Sequence, residues 1–227
     1  MTQIKATLKD HMGSDLSVVN AARVSFGKQS EPVAWLEYNY EDGSRCGDLV
    51  AVLEPKDQKL IRYLAKHKHL SPFGHTFASF HVKAPIFVAR QLVKHKFLRW
   101  NEISRRYVDE EPEFYIPDVW RGRSADKKQG SEGEVESNAG VLYYNTNALG
   151  LYKQLLDEGV APEQARMVLP QSTMTEWWWS GSLDAFAAMC ALRCAEDTQY
   201  ETRIVADQIS KVMGDLFPVS WEALMND

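Results

Sequence analysis

Basic side chains are concentrated in residues 94–107, KHKFLRWNEISRRY, which follow the apolar run APIFVARQLV. Ammonium and guanidinium groups at this density suit a phosphate or another small anion. Gln91, Glu102 and Ser104 add groups that could form hydrogen bonds with a sugar or a base. Because the apolar run should be buried, we expect the basic groups at the end of a buried helix and favour a small-anion pocket. The alternative that stays open is a solvated helix face without a ligand.

Two further arginines stand in segments that are predicted to be apolar helices: Arg166 in ARMVLP and Arg193 in ALRCAEDTQYE. A guanidinium is costly to bury without a partner. Each arginine is therefore expected either to close a structural ion pair or to point into a ligand site. Cys194, next to Arg193, could be a thiolate nucleophile. No histidine stands at a position that would activate it, so we favour the arginines as functional groups.

Other chemically suggestive residues favour structural interpretations. The four histidines of HKHLSPFGHTFASFH fit no common helical pair of metal ligands, and no cysteine or carboxylate lies among them, so no metal is expected. The side chains of Trp177–Trp179 would alternate between faces on a strand, which favours the core or a subunit interface over a cofactor stack. No glycine-rich phosphate-binding loop is present. Side chains would therefore have to hold any nucleotide phosphate.

The composition limits the class of protein. A chain of 227 residues with 44% hydrophobic and 25% charged residues is typical of a globular protein, and we expect one domain over 1–227. The formal net charge of −5 argues against a protein that binds nucleic-acid polymers. The cysteines form no CxxC motif, the start of the chain has no signal-peptide core, and no apolar run approaches the ~18 residues of a membrane span. We therefore expect a soluble cytoplasmic protein, of a cell or of an infected host.

Hydrophobic periodicity and capping residues predict mixed strands and helices without a βαβ rhythm, which indicates an α+β fold. Strands are predicted at 4–8, 75–84 and 172–182, with a hairpin formed by 35–40 and 48–53 that turns at Asp42 and Gly43. Helices are predicted at 15–23, from Pro55, at 85–96, 136–158, 162–169, 183–193 and 197–214, and from Pro218.

The predicted helix at 85–96 would carry part of the basic cluster. Arg90 would share a helical face with Lys94, and Gln91 with His95. The polar segment that follows, 108–137, is rich in Gly, Pro and Ser. We expect it to be a long surface loop that is mobile at 122–135.

These motifs, in this order, resemble the flavin-dependent thymidylate synthases. The signature of that family is Arg-His-Arg, seven residues and Ser; here Lys94-His95-Lys96 is followed by seven residues and Ser104. Further similar segments are SDLSVVNAARVSFGK, KHKHLSPFGHTFASFHVKAPIFVARQ, EFYIP, ARMVLP and the LR of ALRCAEDTQYE. The resemblance extends over roughly residues 8 to 220.

The resemblance implies an enzyme with a central antiparallel sheet, flanking helices and a further helical part. It implies reductive methylation of dUMP at C5, with FAD as cofactor and 5,10-methylenetetrahydrofolate and NADPH as co-substrates. It also implies a homotetramer whose active sites are shared between subunits. Two alternatives stay open. The first is a related enzyme that methylates or hydroxymethylates another pyrimidine nucleotide, such as UMP; the second is a nucleotide-binding homologue without catalysis.

The resemblance also assigns roles to residues. Arg193 would lie against the uracil and favour ionisation at N3, which enriches C5 as a nucleophile without a cysteine or serine. The positions implied for dUMP are Gln91, Lys94, Glu102, Ser104, Arg105, Arg106, Arg166 and Arg193. The positions implied for FAD are Ser25, His69, Ser71, Lys94, His95, Lys96, Glu102 and Ser182.

The sequence departs from the family pattern at several of these positions. Lysine replaces both signature arginines, which keeps the charge and loses the planar fork of donors. Many family members carry Glu, Asn, Arg and Asn where this chain has Gly74, Ser182, Asp184 and Ala188. Together with WNExSRRY, these replacements resemble a branch that includes viral members. The segment at roughly 30–54 is expected to be an insertion.

Overall fold

The fold is an antiparallel sheet covered by helices, and a computed structural model describes it for residues 3–39, 47–108, 110–125 and 130–226. The strands there are β1 (Lys5–Met12), β2 (Ala34–Tyr38), β3 (Asp48–Val52), β4 (Phe77–Pro85), β5 (Arg99–Glu102), β6 (Arg121–Arg123), β7 (Ser131–Glu134) and β8 (Met174–Ser182). The helices are α1 (Asp15–Arg23), α2 (Pro55–Lys66), α3 (Ile86–Leu92), α4 (Val141–Asp157), α5 (Pro162–Ala165), α6 (Leu183–Arg193), α7 (Tyr200–Leu216) and α8 (Pro218–Met225). None of these helices has both the length and the apolar character that a membrane crossing requires.

The central sheet has the strand order β1-β4-β8-β5, and each neighbouring pair is antiparallel. This confirms the predicted α+β fold with a central antiparallel sheet. In β8, successive side chains alternate between the two faces. Trp177 and Trp179 are fully buried, whereas Trp178 is 47% exposed on the opposite face. The ring of Trp100 in β5 stacks on Trp177 with 4.3 Å between centroids, which fixes β5 against β8.

Helices α6 and α7 cover the face of the sheet that carries Trp179, and α8 packs against both of them in the same core. Phe186 of α6 packs edge-on against Trp179 and against Phe80 of β4, with centroid distances of 5.7 and 5.3 Å. The two ends of the chain meet in this layer. The buried carboxylate of Asp15 accepts the backbone N–H groups of Val219 and Ser220 at 2.8 and 3.0 Å, so α1 holds the start of α8.

Helix α3 ends at Leu92, earlier than the predicted end at about Lys96. The N–H of His95 bonds to the carbonyl of Leu92 at 3.1 Å in a tight turn, and Phe97 has a φ of 66°. A residue in the left-handed region does not continue a helix, and here it turns the chain into β5. Strand β5 was not predicted from the sequence.

The basic cluster is therefore not carried by one helix. Arg90 and Gln91 stay on α3, whereas Lys94 and His95 lie in the turn that follows it. The prediction that Arg90 and Lys94, and Gln91 and His95, share helical faces is wrong. The positive groups instead surround the junction between α3 and β5.

The predicted loop over 108–137 contains structure of its own. Strands β6 and β7 form a short antiparallel hairpin within it, and α4 begins at Val141 rather than at residue 136. The predicted hairpin of β2 and β3 is confirmed, while its turn at Asp42 and Gly43 lies outside the described residues. The mobility expected at 122–135 stays a prediction.

Candidate functional site

Arg193 and His95 meet where α6 ends and the chain leaves α3. The Nε–H of Arg193 donates to Nε2 of His95 at 3.0 Å. Burial lowers the pKa of His95, and the positive charge of Arg193 lowers it further. Burial also lowers the pKa of Arg193. Because Nε2 needs a free lone pair to accept this bond, His95 is held neutral with its proton on Nδ1.

The charge of Arg193 has no carboxylate partner. Within residues 3–39, 47–108, 110–125 and 130–226, no Asp or Glu forms an ion pair with Arg193 or with Arg166, so the structural ion pairs considered from the sequence are not formed there. The side-chain partner that the structure gives Arg193 is the neutral ring of His95. A half-buried guanidinium in this state can stabilise negative charge that develops on a ligand.

Gln91, in the last turn of α3, is attached to the start of α7. Its Nε2 group donates to Oε1 of Gln199, and its Oε1 accepts the hydroxyl of Thr202 at 3.2 Å. The sequence prediction missed Gln199 and Thr202. Their only signal was a group of polar residues at the start of a helix whose later buried positions are apolar. These contacts fix Gln91, which lies four residues before His95 in the chain.

Glu102, at the end of β5, is held by two hydrogen bonds. Its Oε1 accepts the hydroxyl of Thr175 at 2.6 Å, and its Oε2 accepts Nε1–H of Trp100 at 3.1 Å. Glu102 also lines a groove of about 270 Å³ with Arg90 of α3 and with Val93, the residue after α3. The groove joins the end of β5 to the helix that carries Gln91. The sequence indicated Glu102 but neither of its two positioning partners.

The turn after β5 gathers a hydroxyl and two guanidinium groups. The backbone N–H and Nε–H of Arg106 both donate to Oγ of Ser104, at 3.4 and 3.3 Å. Arg105 donates to the backbone carbonyl of Glu110, and the guanidinium of Arg106 lies 4.9 Å from the ring centroid of Tyr107. The turn is thus shaped by its own side chains, and its cations stay accessible to an anion.

Arg166 lies apart from this group. It is exposed, in a single 3-10 turn after α5, and its Nε–H donates to the backbone carbonyl of Glu163 at 3.3 Å. The predicted short helix at 162–169 is present as α5 and this 3-10 turn, but the side chain of Arg166 is exposed and not buried in it. No contact in the described part of the chain joins Arg166 to the other residues proposed for the nucleotide.

The residues expected to contact FAD form two groups. Lys94, His95, Lys96 and Glu102 surround the junction of α3 and β5. Ser25 and His69 follow α1 and α2 in the chain, whereas Ser71 and Ser182 lie near the N-terminal end of α6. There α1 packs against the 3-10 turn Ser71–His75, that turn packs against α6, and the N–H of Leu183 bonds to the carbonyl of Thr76 at 3.0 Å. The two groups come close at one point, because a Cβ at Gly181, next to Ser182, would lie 3.2 Å from the carbonyl oxygen of Phe97, next to Lys96.

Departures from the family pattern change the N-terminal end of α6. The hydroxyl of Ser182 donates to Oδ1 of Asp184 at 2.5 Å, so this hydroxyl is engaged by a carboxylate. A Cβ at Gly74 would meet open space, and Ala188 is exposed. Among the positions expected to contact FAD, the permanent positive charges are those of Lys94 and Lys96. The hydroxyls of Ser25 and Ser71, both exposed, and the ring of His69, stacked on Tyr63 at 6.3 Å, fit hydrogen bonding and packing against a flavin.

Comparison with known proteins places this geometry in a family. Residues 7–219 match the family model described as "Thymidylate synthase complementing protein". The flavin-dependent thymidylate synthase of Thermus thermophilus is 38% identical over 219 residues, which cover 95% of this chain and 73% of that protein. The flavin-dependent thymidylate synthase of Thermosipho melanesiensis is 36% identical over 224 residues, covering 96% of this chain and 89% of that protein.

Solved structures agree with the sequence comparison. The UMP/dUMP methylase PolB from Streptomyces cacaoi, bound with 5-Br dUMP, superposes with a TM-score of 0.80 at 31% identity, over 100% of this chain and 96% of that chain. The same methylase bound with 5-Br UMP gives a TM-score of 0.79 at 30% identity. The fold, the family model and the curated relatives lead to one conclusion: this chain belongs to the flavin-dependent thymidylate synthase family.

Proposed function

We propose that this chain converts dUMP to dTMP by reductive methylation at C5, with 5,10-methylenetetrahydrofolate as carbon donor. FAD, reduced by NADPH, would supply the hydride. The observation that carries the proposal is the half-buried guanidinium of Arg193, which is bonded to a neutral imidazole and has no carboxylate partner in the described residues. The family membership supports a flavin-dependent enzyme.

The chemistry of this chain would begin at Arg193. Its guanidinium beside N3 and the carbonyl oxygens of the uracil would stabilise negative charge on the ring, which increases electron density at C5. The carbon–carbon bond can then form without a protein nucleophile. Burial raises the pKa of the neighbouring Cys190 thiol, and contact with Cys194 raises it further, so Cys190 stays protonated.

The remaining residues would bind and orient the nucleotide. Glu102, fixed by Thr175 and Trp100, would accept hydrogen bonds from the sugar or base. Lys94, Arg105 and Arg106 would neutralise the phosphate. At position 94, lysine supplies a point charge where an arginine would supply two parallel donors, so the phosphate would be held less directionally there.

A visible spectrum tests the flavin part of the proposal. The purified protein, as isolated or after addition of FAD, should be yellow, and NADPH should bleach it faster when dUMP is present. Protein that stays colourless and binds no added FAD would contradict the proposal.

The protonation state of His95 should make nucleotide binding sensitive to acid. The folded state lowers the pKa of His95 below its ordinary value of 6.5, so the neutral ring is favoured. The stability contributed by the neutral ring of His95 is complete above pH 6.5 and is lost as the pH falls through the lowered pKa. An imidazolium cannot accept the bond from Arg193 and repels it. We expect the Kd for dUMP, measured by titration, to rise in this acid range.

His95→Gln tests whether His95 causes this rise in Kd at acid pH. The amide oxygen of glutamine can accept the same bond from Arg193, and it does not titrate. The Kd of the variant for dUMP should rise less at acid pH than the wild-type Kd, because only the nucleotide phosphate, with a second pKa of about 6, still titrates there. The same rise in both proteins would show that His95 is not its source.

We further propose a homotetramer with active sites shared between subunits, in which 1–227 acts as one domain of each subunit. One observation supports it: Arg166 lies exposed and apart from the nucleotide group. Arg166 would then reach the nucleotide held by a neighbouring copy.

Mixed assemblies test this arrangement. Arg166→Ala and Arg193→Ala should each be inactive alone, yet exchange of their subunits should regenerate roughly a quarter of the sites with both arginines, as expected for random mixing. Each variant taken through the same exchange by itself is the control. If mixed tetramers form and no dTMP synthesis returns, Arg166 does not act across a subunit interface.

UMP is the second candidate substrate, because a solved relative is a UMP/dUMP methylase that was crystallised with brominated analogues of both nucleotides. Mass spectrometry of the products formed with dUMP and UMP in competition separates the two, and it also detects a hydroxymethyl product. Rescue of a thymidine-requiring strain would exclude a homologue that binds nucleotides without catalysis. The proposed cytoplasmic location follows from the same nucleotide chemistry.

A further inference from the structure

Glu201, in the first turn of α7, is a buried carboxylate with only 5% of its surface exposed. Its Oε1 forms an ion pair with Arg121 of β6 and lies 3.5 Å from the hydroxyl of Tyr115, and its Oε2 accepts Nε2–H of Gln199 at 3.3 Å. Burial and the charge of Glu201 raise the pKa of Tyr115 to about 12, so the phenol stays a donor. All three side chains therefore donate to this carboxylate.

The carboxylate determines the orientation of two amides in series. Because an ionised carboxylate only accepts hydrogen bonds, Gln199 must turn its NH2 group to Glu201 and its oxygen away. That oxygen accepts the NH2 group of Gln91. The oxygen of Gln91 then faces the hydroxyl of Thr202, which donates to it at 3.2 Å. Without the carboxylate, the two amides could rotate together by half a turn and still form hydrogen bonds with each other.

We propose that Glu201 is a positioning residue for the nucleotide: through Gln199 it fixes which edge of the Gln91 amide faces the ligand. Gln91 keeps one N–H and one oxygen lone pair beyond its contacts with α7, and their order in space is set by this relay. The inference rests on the proposed function, in which Gln91 contacts dUMP.

The hairpin of β6 and β7 contributes Arg121 to the same network of hydrogen bonds. Arg121 neutralises Glu201, and its guanidinium also lies 4.2 Å from the ring centroid of Tyr200. A buried ion pair gives weak net stabilisation, because desolvation of both charges offsets their attraction. The ion pair of Arg121 and Glu201 is connected to Gln91 through Gln199. We therefore explain this ion pair by the orientation of the two amides and not by a gain in stability. A segment that looked like a surface loop in the sequence thus supports the nucleotide site.

The test is a double-mutant cycle on nucleotide binding. Glu201→Gln keeps the shape of the side chain and removes the acceptor-only character. Gln199→Met removes the link between Glu201 and Gln91 and leaves the ion pair with Arg121 in place. Both changes border a cavity of about 400 Å³, so neither should overpack the site. The Kd for dUMP is measured with the FAD-bound protein in a wild-type background and in a Gln91→Met background.

We expect each substitution to weaken dUMP binding about tenfold in the wild-type background, as for loss of one well-oriented hydrogen bond. In the Gln91→Met background the same substitutions should change the Kd less than twofold, and Glu201→Gln combined with Gln199→Met should be no weaker than either alone. Glu196→Gln, an exposed carboxylate in the loop before α7, is the matched control and should leave the Kd unchanged.

Two results would overturn the inference. The first is an unchanged Kd for both variants in the wild-type background, and the second is an equal loss with and without Gln91. If Glu201→Gln does not fold, Gln199→Met alone decides through the same comparison. Failure of the proposed function is distinguishable, because wild-type protein would then neither bind dUMP nor form dTMP.

Discussion

Replacement of Arg193 by alanine is expected to lower kcat for dTMP formation by about 10²–10³-fold, the usual effect of removing one donor that stabilises a developing anion. The fold should be retained, since the Arg193 side chain contributes one hydrogen bond, to His95. A net loss of about 1–2 kcal/mol of stability is expected for a partly exposed bond with a charged donor. Initial rates at saturating dUMP, together with thermal unfolding of the same sample, measure both effects.

Two further variants make this result specific. Arg193→Lys keeps the positive charge and loses the fork, so it should retain more activity than alanine and less than the wild type. Arg62→Ala is the matched control, because Arg62 pairs with Glu222 on an exposed surface. Near wild-type kcat in Arg193→Ala would show that the role assigned to this guanidinium is wrong.

Replacement of Trp177 by alanine is expected to destabilise the fold by about 3–5 kcal/mol, the typical cost of removing a large buried aromatic side chain. Trp177 is 1% exposed, and its Nε1 has no hydrogen-bond partner in the described residues, so packing accounts for its contribution. The substitution also removes the ring on which Trp100 stacks, and Trp100 donates to Glu102. Urea unfolding should therefore show lower stability, and dUMP titration should show weaker binding.

Trp178 provides the control on the same strand. Its side chain lies on the opposite face and is 47% exposed, so Trp178→Ala should cost less than about 1 kcal/mol. Equal losses for the two substitutions would contradict the assignment of faces in β8. Trp177→Phe should recover part of the stability and of the dUMP affinity, because a smaller ring still supports Trp100.

Most of the fold could be predicted because its elements carry local signals. The alternation of buried and exposed positions in β4 and β8 and the proline at the start of α2 and α8 are visible in the sequence. Strand β5 could not be predicted, since RWNE shows no apolar alternation and becomes a strand by pairing with β8. The end of α3 was missed because Val93 and Lys94, which follow its last residue Leu92, include no glycine, proline or asparagine that would mark a stop.

The candidate site was predicted unevenly. The motif around His95 and the distant Arg193 were both indicated, and the structure brings them within hydrogen-bonding distance. The relay through Glu201 was not indicated, because its members lie far apart in sequence: Arg121 and Glu201 are separated by 80 residues, and Gln91 and Gln199 by 108. Single polar residues in a helix or loop carry no local signal for such pairing. Only the tertiary fold shows that they form one network.

Mass spectrometry of the nucleotide product tests the central claim most directly. Purified protein with FAD is incubated with dUMP, 5,10-methylenetetrahydrofolate and NADPH, and each component is omitted in turn. We expect dUMP to gain one methyl group at C5 only in the complete mixture, and we expect Arg193→Ala to form almost none of this product. Unchanged dUMP in the complete mixture, from wild-type protein that has bound FAD, would contradict it.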